Sequence, residues 1–326
     1  MTPGKLVVAA IALVAAGVAA LYALRNPEQV DMDSAARANA PGKFVTLGDG
    51  VTHYDVAGPD SGQRVILAHG FSVPSYIWDS TVIALTDAGF RVARYDYFGR
   101  GFSDRPDIAY TSEVYDRQLL QLLDSLGWQD KVDVVGLSMG GSVTATFVAA
   151  HPDRARSLTL IDPVAGTRAA PPLLFRLPIV GPALWQGLAV PGMAEGQVSD
   201  FVEPAKWPDW VDRYRVQTQY RGFGRALLST LDEGKGTVLD SVYARVGRSG
   251  IPTLLIWGKE DSTVAITNAE GVRKAIPQAQ YHPIDRAGHL PHMERADAVN
   301  PLLISFLRSV APVPVLVADT VGEKMP

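Results

Sequence analysis

The sequence predicts an α/β protein: a mostly parallel, eight-stranded sheet flanked by helices, with a helical insertion and an N-terminal transmembrane helix. Three observations predict it. Short β-branched runs alternate with helical segments over residues 43–165 and again over 251–311, and strands that alternate with helices build a parallel sheet with right-handed crossovers. The alternation lapses over 166–250, which opens Pro-rich and carries Trp185, Phe201, Trp207, Trp210, Tyr214, Tyr220 and Phe223. Leu6–Leu24 is one apolar run without a charge.

That run comes first in the chain. A helix of about 20 apolar residues spans a bilayer, whereas a signal-peptide core is about 7–15 residues long. Its Leu, Ile and Val side chains, at roughly −0.4 kcal/mol each, give a gross insertion term of about −4 kcal/mol. The run is apolar on every face, unlike the helix of a soluble surface. Lys5 and Arg25 flank it, and Glu28, Asp31 and Asp33 make the downstream side acidic. The expected arrangement is a single-pass anchor with the body of the protein outside the cytoplasm. Val18-Ala19-Ala20 offers a cleavage site for the alternative, export after removal of a signal peptide.

Residues 26–42 read as a polar tether, so 1–42 form an anchor and tether. Phe44–Thr46 and Val51–Val56, joined by Gly48-Asp49-Gly50, read as a hairpin. Arg64–Ala68 is a buried strand leading into His69-Gly70-Phe71, with a helix over about 76–88. Arg91–Asp96 is the next strand. It runs into the glycine-containing loop Phe98-Gly99-Arg100-Gly101-Phe102-Ser103. Tyr115, Leu119, Leu122 and Leu126 form one stripe of an amphipathic helix that Gly127 stops. Lys131–Val135 and Ser157–Asp162 are strands around a helix over 139–151 that ends before Pro152. Residues 166–250 read as a mostly helical cap over the sheet. The sheet resumes at Thr253–Gly258, with a helix near 265–275, a strand over 280–285 and a last helix over about 296–310. Residues 312–326 read as a loose tail.

Composition narrows the function. With 326 residues, 47% hydrophobic and 20% charged, the chain is long enough for a large core. A net charge of −4 leaves no nucleic-acid footprint. The absence of cysteine excludes disulfides, thiolate metal sites and a cysteine nucleophile. No cofactor or metal is expected, because His and Asp do not recur at ligand spacing and Gly99-Arg100-Gly101 lacks the rest of a phosphate cradle.

The chemistry centres on Gly136-Leu137-Ser138-Met139-Gly140, a G-x-S-x-G turn between a strand and a helix. A serine hydroxyl needs a base to take its proton, and the base needs an acceptor to hold its tautomer. His289 lies in a loop just past the last strand, and Asp261 follows the preceding strand. Loops at the carboxyl ends of parallel strands gather over one edge of the sheet. The order Ser, Asp, His follows. His292 shares the loop of His289 but lies beyond Pro291. His69 reads as a structural hydrogen-bonding residue, His151 ends a helix, and His53 and His282 lie in strands. Asp162 also ends a strand and is the alternative acid; Glu260 reads as solvated. The Met139 and Phe71 N–H groups are the candidate oxyanion donors, and Gly70 lets that backbone approach closely.

Taken together, His69-Gly70-Phe71, Asp96-Tyr97-Phe98-Gly99-Arg100-Gly101-Phe102-Ser103, Gly136-Leu137-Ser138-Met139-Gly140-Gly141, Ile256-Trp257-Gly258-Lys259-Glu260-Asp261 and Gly288-His289 resemble the α/β-hydrolase superfamily over about residues 43–310. With the N-terminal anchor, the chain looks like membrane-bound monoacylglycerol lipases and related carboxylesterases. The resemblance implies Ser138 as nucleophile, Asp261 as acid, His289 as base, Phe71 and Met139 as oxyanion donors, and a cap over the substrate. Haloalkane dehalogenases and epoxide hydrolases of this fold carry aspartate where this chain has Ser138, and dienelactone hydrolases carry cysteine. Meta-cleavage C–C hydrolases and perhydrolases keep the serine.

The expected activity is therefore hydrolysis of carboxylic esters with a medium or long acyl chain, monoacylglycerols among them, with a small-molecule or lipid ester as partner. C–C bond hydrolysis or perhydrolysis on the same triad is the alternative. A non-catalytic binding scaffold is a third reading, which the intact triad disfavours.

Overall fold

The computed structural model describes residues 2–310; the expected tail, 312–326, lies outside the described residues. Eight strands form one sheet: β1 (Lys43–Leu47), β2 (Gly50–Ala57), β3 (Arg64–Ala68), β4 (Arg91–Tyr95), β5 (Val132–Leu137), β6 (Ala155–Ile161), β7 (Thr253–Gly258) and β8 (Gln280–Ile284). Their spatial order is β1-β2-β4-β3-β5-β6-β7-β8. β2 runs antiparallel to both its neighbours, and every pairing from β4 to β8 is parallel. The mostly parallel sheet expected from the sequence is present.

Alternation along each central strand feeds two cores. Ile66 and Ala68 of β3 point into one core, and Val65 and Leu67 into the other. Leu255 and Trp257 of β7 face the first core, while Leu254 and Ile256 face the second. This is the period-2 geometry of a strand buried on both faces, and it explains the continuous apolar runs of the sequence.

The segment after β6 is irregular at first. Short helical turns, including Val180–Leu184 and the wide turn Trp185–Ala189, precede the helices Trp210–Thr218 and Phe223–Gly234. Trp185, Phe201, Trp210, Tyr214 and Phe223 pack into the second core. The last helix of the expected insertion, Asp240–Ser249, packs instead against the sheet-flanking helices Met139–Ala150 and Ala269–Ala275, and its Tyr243 hydroxyl donates to Val164 O. By its packing this helix is part of the layer on the sheet.

The apolar N-terminal run forms the helix Pro3–Arg25, none of whose residues is buried. Its C-terminal end and the segment after it dock on the insertion. Leu21 abuts Gly187, where an added Cβ would lie 2.8 Å from Leu21 Cγ. The Glu28 carboxylate accepts from Gly222 N at 2.7 Å and Gly224 N at 2.6 Å, at the N-terminus of Phe223–Gly234. An anion is favoured there by unpaired N–H groups and the helix dipole. Val30 bridges to Tyr220, and Arg221 pairs with Asp31.

The tether is tied to the sheet by His53 on β2. Its Nδ1 lies 2.7 Å from Asp96 Oδ2 and its Nε2 lies 2.5 Å from Pro41 O. Both partners are acceptors, so the doubly protonated ring satisfies both. Burial opposes that charge, but Asp96 and the two hydrogen bonds outweigh burial and raise the pKa above its ordinary value. A raised histidine contributes stability that is complete below about pH 6.5 and is lost as the pH rises through the folded value. The fall in Tm between about pH 6 and about pH 9 is therefore expected to be steeper in the native chain than in His53→Gln. Equal slopes in thermal unfolding scans of the two proteins would contradict this assignment.

Candidate active site

Ser138 sits at the apex of the turn between β5 and the helix Met139–Ala150, with φ 55° and ψ −120°. Positive φ is costly for a residue with a Cβ, so the surroundings must hold it in place. They do so by close approach. A Cβ on Gly136 would lie 2.4 Å from Gly140 O and from Thr144 Oγ1, and a Cβ on Gly140 would lie 2.4 Å from the carbonyls of Ala68 and His69. Ser138 N donates to Ile161 O on the neighbouring strand, and Ser138 O accepts from Gly141 N and Val164 N.

The other candidate side chains come from the ends of the next three strands. Asp162 follows β6, Asp261 follows β7 and His289 follows β8. His289 Nδ1 is 2.8 Å from Asp261 Oδ2. Asp261 Oδ1 accepts from Thr263 N and Val264 N, each at 2.8 Å. The aspartate is thereby fixed, and it orients a ring whose Nε2 has no protein partner among the described residues. Ser138 Oγ likewise has none.

Asp162 completes the cluster. It, Asp261 and His289 each bring one polar atom within 4.8 Å of the others, and all three are buried. The alternative acid of the sequence reading thus lies beside the His289–Asp261 pair. By distance alone the three could hold a metal; hydrogen bonds engage His289 Nδ1, both oxygens of Asp261 and Asp162 Oδ1, the last with Gly258 N at 2.8 Å, while Asp162 Oδ2 has no partner among the described residues. Burial and the adjacent Asp261 carboxylate push the Asp162 pKa well above the ordinary value, because two carboxylates this close do not both ionise. The direction of that shift favours the proton on Asp162.

The remaining candidates fall to structural tasks. His69 accepts from Tyr97 N through Nε2 at 3.0 Å, so its Nδ1–H donates to Gly70 O at 2.9 Å. Burial lowers its pKa to about 4, and the ring is a neutral brace for the loop. His292 donates through Nε2 to Ile77 O at 3.1 Å, and burial lowers its pKa to about 3. His151 pairs with Asp116, and His53 with Asp96. His282 lies on β8.

On the other side of Ser138, Gly70 stands so close that a Cβ there would lie 3.4 Å from Ser138 Cβ. Neither Phe71 N–H nor Met139 N–H has an acceptor among the described residues. Arg100, fully buried, holds this loop: its Nε donates to Phe71 O at 2.9 Å, and its Nη atoms reach Phe98 O, the Tyr115 hydroxyl and Thr230 Oγ1.

Three further residues hold these loops in place. Glu294 accepts from Gly288 N at 2.7 Å and from Val202 N at 2.7 Å, which clamps the His289 loop to the insertion. Asp200 O accepts from His289 N at 2.9 Å. For Arg100 a signal existed, a cation between two glycines beside an aromatic; for Asp200 and Glu294 no local pattern marks them.

The alpha/beta hydrolase fold family matches residues 63–296. The chain is 30% identical over 278 residues to 2-hydroxy-6-oxononadienedioate/2-hydroxy-6-oxononatrienedioate hydrolase of Cupriavidus pinatubonensis, covering 81% of this chain and 94% of that protein. Among solved structures, it is similar to 2-hydroxy-6-oxo-6-phenylhexa-2,4-dienoate hydrolase from a Rhodococcus species, with TM-score 0.69, 26% identity and coverage of 82% and 98%. It is also similar to the enol-lactonase from Burkholderia xenovorans, with TM-score 0.71, 22% identity and coverage of 82% and 100%.

The neutral state of Asp162 can be checked by substitution. Asp162→Asn keeps the shape and charge and is expected to leave Tm within about 2 °C, whereas Asp162→Ala strips Gly258 N–H of its acceptor, costs about 1–3 kcal/mol and lowers Tm by about 2–4 °C per kcal/mol. If calorimetry finds the two variants equally destabilised, the carboxyl is ionised in the native protein.

Proposed function

The chain belongs to the α/β-hydrolase family, and from that premise we propose that it hydrolyses carboxylic esters through an acyl-enzyme on Ser138. The observation that carries the reading is an unengaged hydroxyl at a positive-φ apex, flanked by two N–H groups without acceptors, on the sheet edge that also bears the His289–Asp261 pair.

In this reading His289 Nε2 takes the proton of Ser138 Oγ as the oxygen attacks the ester carbonyl carbon. The bond between Ser138 and His289 closes when substrate is bound, as catalytic hydrogen bonds often do. The oxyanion forms between Phe71 N–H and Met139 N–H, at the start of a helix whose dipole favours negative charge. Collapse expels the alcohol, which leaves with the proton from His289. Water then attacks the acyl-serine carbonyl and gives a proton to His289; collapse releases the acid as that proton returns to Ser138 Oγ. The Asp261 carboxylate holds the ring and stabilises the imidazolium, while Asp162 lies buried beside it with Oδ1 on Gly258 N.

The substrate we favour is a medium- or long-chain acyl ester. The helix Pro3–Arg25, which has the length and apolarity to cross a membrane, supports this. We read that helix as a retained anchor, since Leu21 abuts Gly187 and Glu28 caps a helix of the insertion. A second reading, hydrolysis of a C–C bond in a vinylogous diketone, is favoured by the relatives that act on 2-hydroxy-6-oxo dienoates.

A panel of p-nitrophenyl esters of graded chain length beside a 2-hydroxy-6-oxo dienoate separates the two. Ester turnover is expected to dominate, and Ser138→Ala to lower kcat by about 10⁶-fold. Asp261→Asn is expected to cost about 10⁴-fold, and Asp162→Asn less than about tenfold. Turnover that survives Ser138→Ala would sink the proposal. A higher kcat/KM on the dienoate would transfer it to the second reading, and equal losses for the two aspartate variants would move the acid to Asp162.

A further inference from the structure

We propose that the insertion is seated in the bilayer surface beside the anchor, with Leu173, Leu174, Leu177, Ile179 and Leu188 in contact with lipid. The inference rests on the retained-anchor reading and adds a second, independent membrane contact.

Depth is the first argument. The apolar run Leu6–Leu24 is about 28 Å long as a helix, close to the roughly 30 Å hydrocarbon core that it would fill. Arg25 and the half-exposed Tyr22 then mark the interface, where aromatic and basic side chains collect. Leu21, which abuts Gly187, lies about 4.5 Å inside the end of the run at Leu24. The turn Trp185–Ala189 is packed at that level, so the part of the insertion around it cannot stand clear of the membrane surface.

Surface chemistry is the second argument. Ala169–Ala194 contains one charge, Arg176, and no acid. Within it Leu173 is 73% exposed and Ile179 92% exposed, with Leu174, Leu177 and Leu188 also exposed. Ile179 stands at φ 67°, a conformation that β-branched residues avoid, with its side chain turned away from the protein. A groove of about 1050 Å³ lies between this patch and the anchor, lined by Tyr22, Phe175, Leu177 and Ile179 and also by charged residues, Arg225 and Asp232 among them. An exposed cluster such as Leu173, Leu174, Leu177 and Ile179 marks an interaction site. Its continuity with a helix apolar on all faces selects lipid over a second copy of the chain or a soluble partner.

The chain has no cysteine, so single thiols can be introduced without background. Leu13→Cys, Leu173→Cys, Ile179→Cys and Asp60→Cys, each in the full chain and labelled with a nitrobenzoxadiazole dye, are reconstituted into vesicles of phosphatidylcholine and phosphatidylglycerol containing doxyl-labelled lipid. Retained turnover of a soluble ester shows that each variant is folded. Leu13 reports the anchor, and Asp60, at the opposite end of the strands, reports solvent. Quenching at positions 173 and 179 within about twofold of that at 13, with none at 60, is the expected result. Quenching at 13 but not at 173 and 179 overturns the seat and leaves the anchor standing. A blue shift at 173 and 179 without lipid quenching places them against protein and also overturns it. No quenching at any position overturns anchor and seat together.

Discussion

The site depends on one crowded crossing of backbone, where the turn at Ser138 passes between β3 and the first turn of the Met139–Ala150 helix. Gly140 packs against the carbonyls of Ala68 and His69, and Gly136 packs against Gly140 and Thr144. That proximity brings the Phe71 loop beside the serine, and it forces the positive φ that lifts the hydroxyl clear of the sheet. Side chains at either glycine would open the gap between serine and loop. The strain is local, and the surrounding parallel sheet, buried on both faces, over-determines it.

Much of this was legible in the sequence for physical reasons. Parallel strands buried on both faces must be apolar without interruption, so β3, β5 and β7 announced themselves. The two glycines around Ser138 were legible because only glycine fits the crossing. His289 and Asp261 were legible because loops after adjacent parallel strands must meet. The reach of Asp162 into the same cluster was harder to see, since a strand-end aspartate before proline reads equally well as a turn. Glu294, Asp200 and the docking of Glu28 on Gly222 and Gly224 were hidden. Each pairs residues distant in the chain through a single contact, and no local periodicity records such a contact. The packing of Asp240–Ser249 on the sheet layer was hidden for the same reason: its amphipathic stripe fits either neighbour.

The buried charges are arranged around that crossing with separate duties. Asp96 accepts from Ser75 N, Phe102 N and His53, which fixes the loop bearing Arg100. Arg100 in turn holds the carbonyl of Phe71 and reaches Thr230 in the insertion. Glu294 and Asp200 tie the insertion to the histidine loop from the opposite side. The insertion thus touches both halves of the candidate machinery, the N–H donors and the base, and no residue of it need enter the chemistry.

The Glu28 clamp gives this coupling a mechanical reading. A carboxylate gripping two amide hydrogens, with a helix turn wedged against glycine behind it, joins the N-terminal rod to the insertion. The rod and the insertion are thereby joined at two points, so a displacement of one has to carry the other with it or break the Glu28 hydrogen bonds.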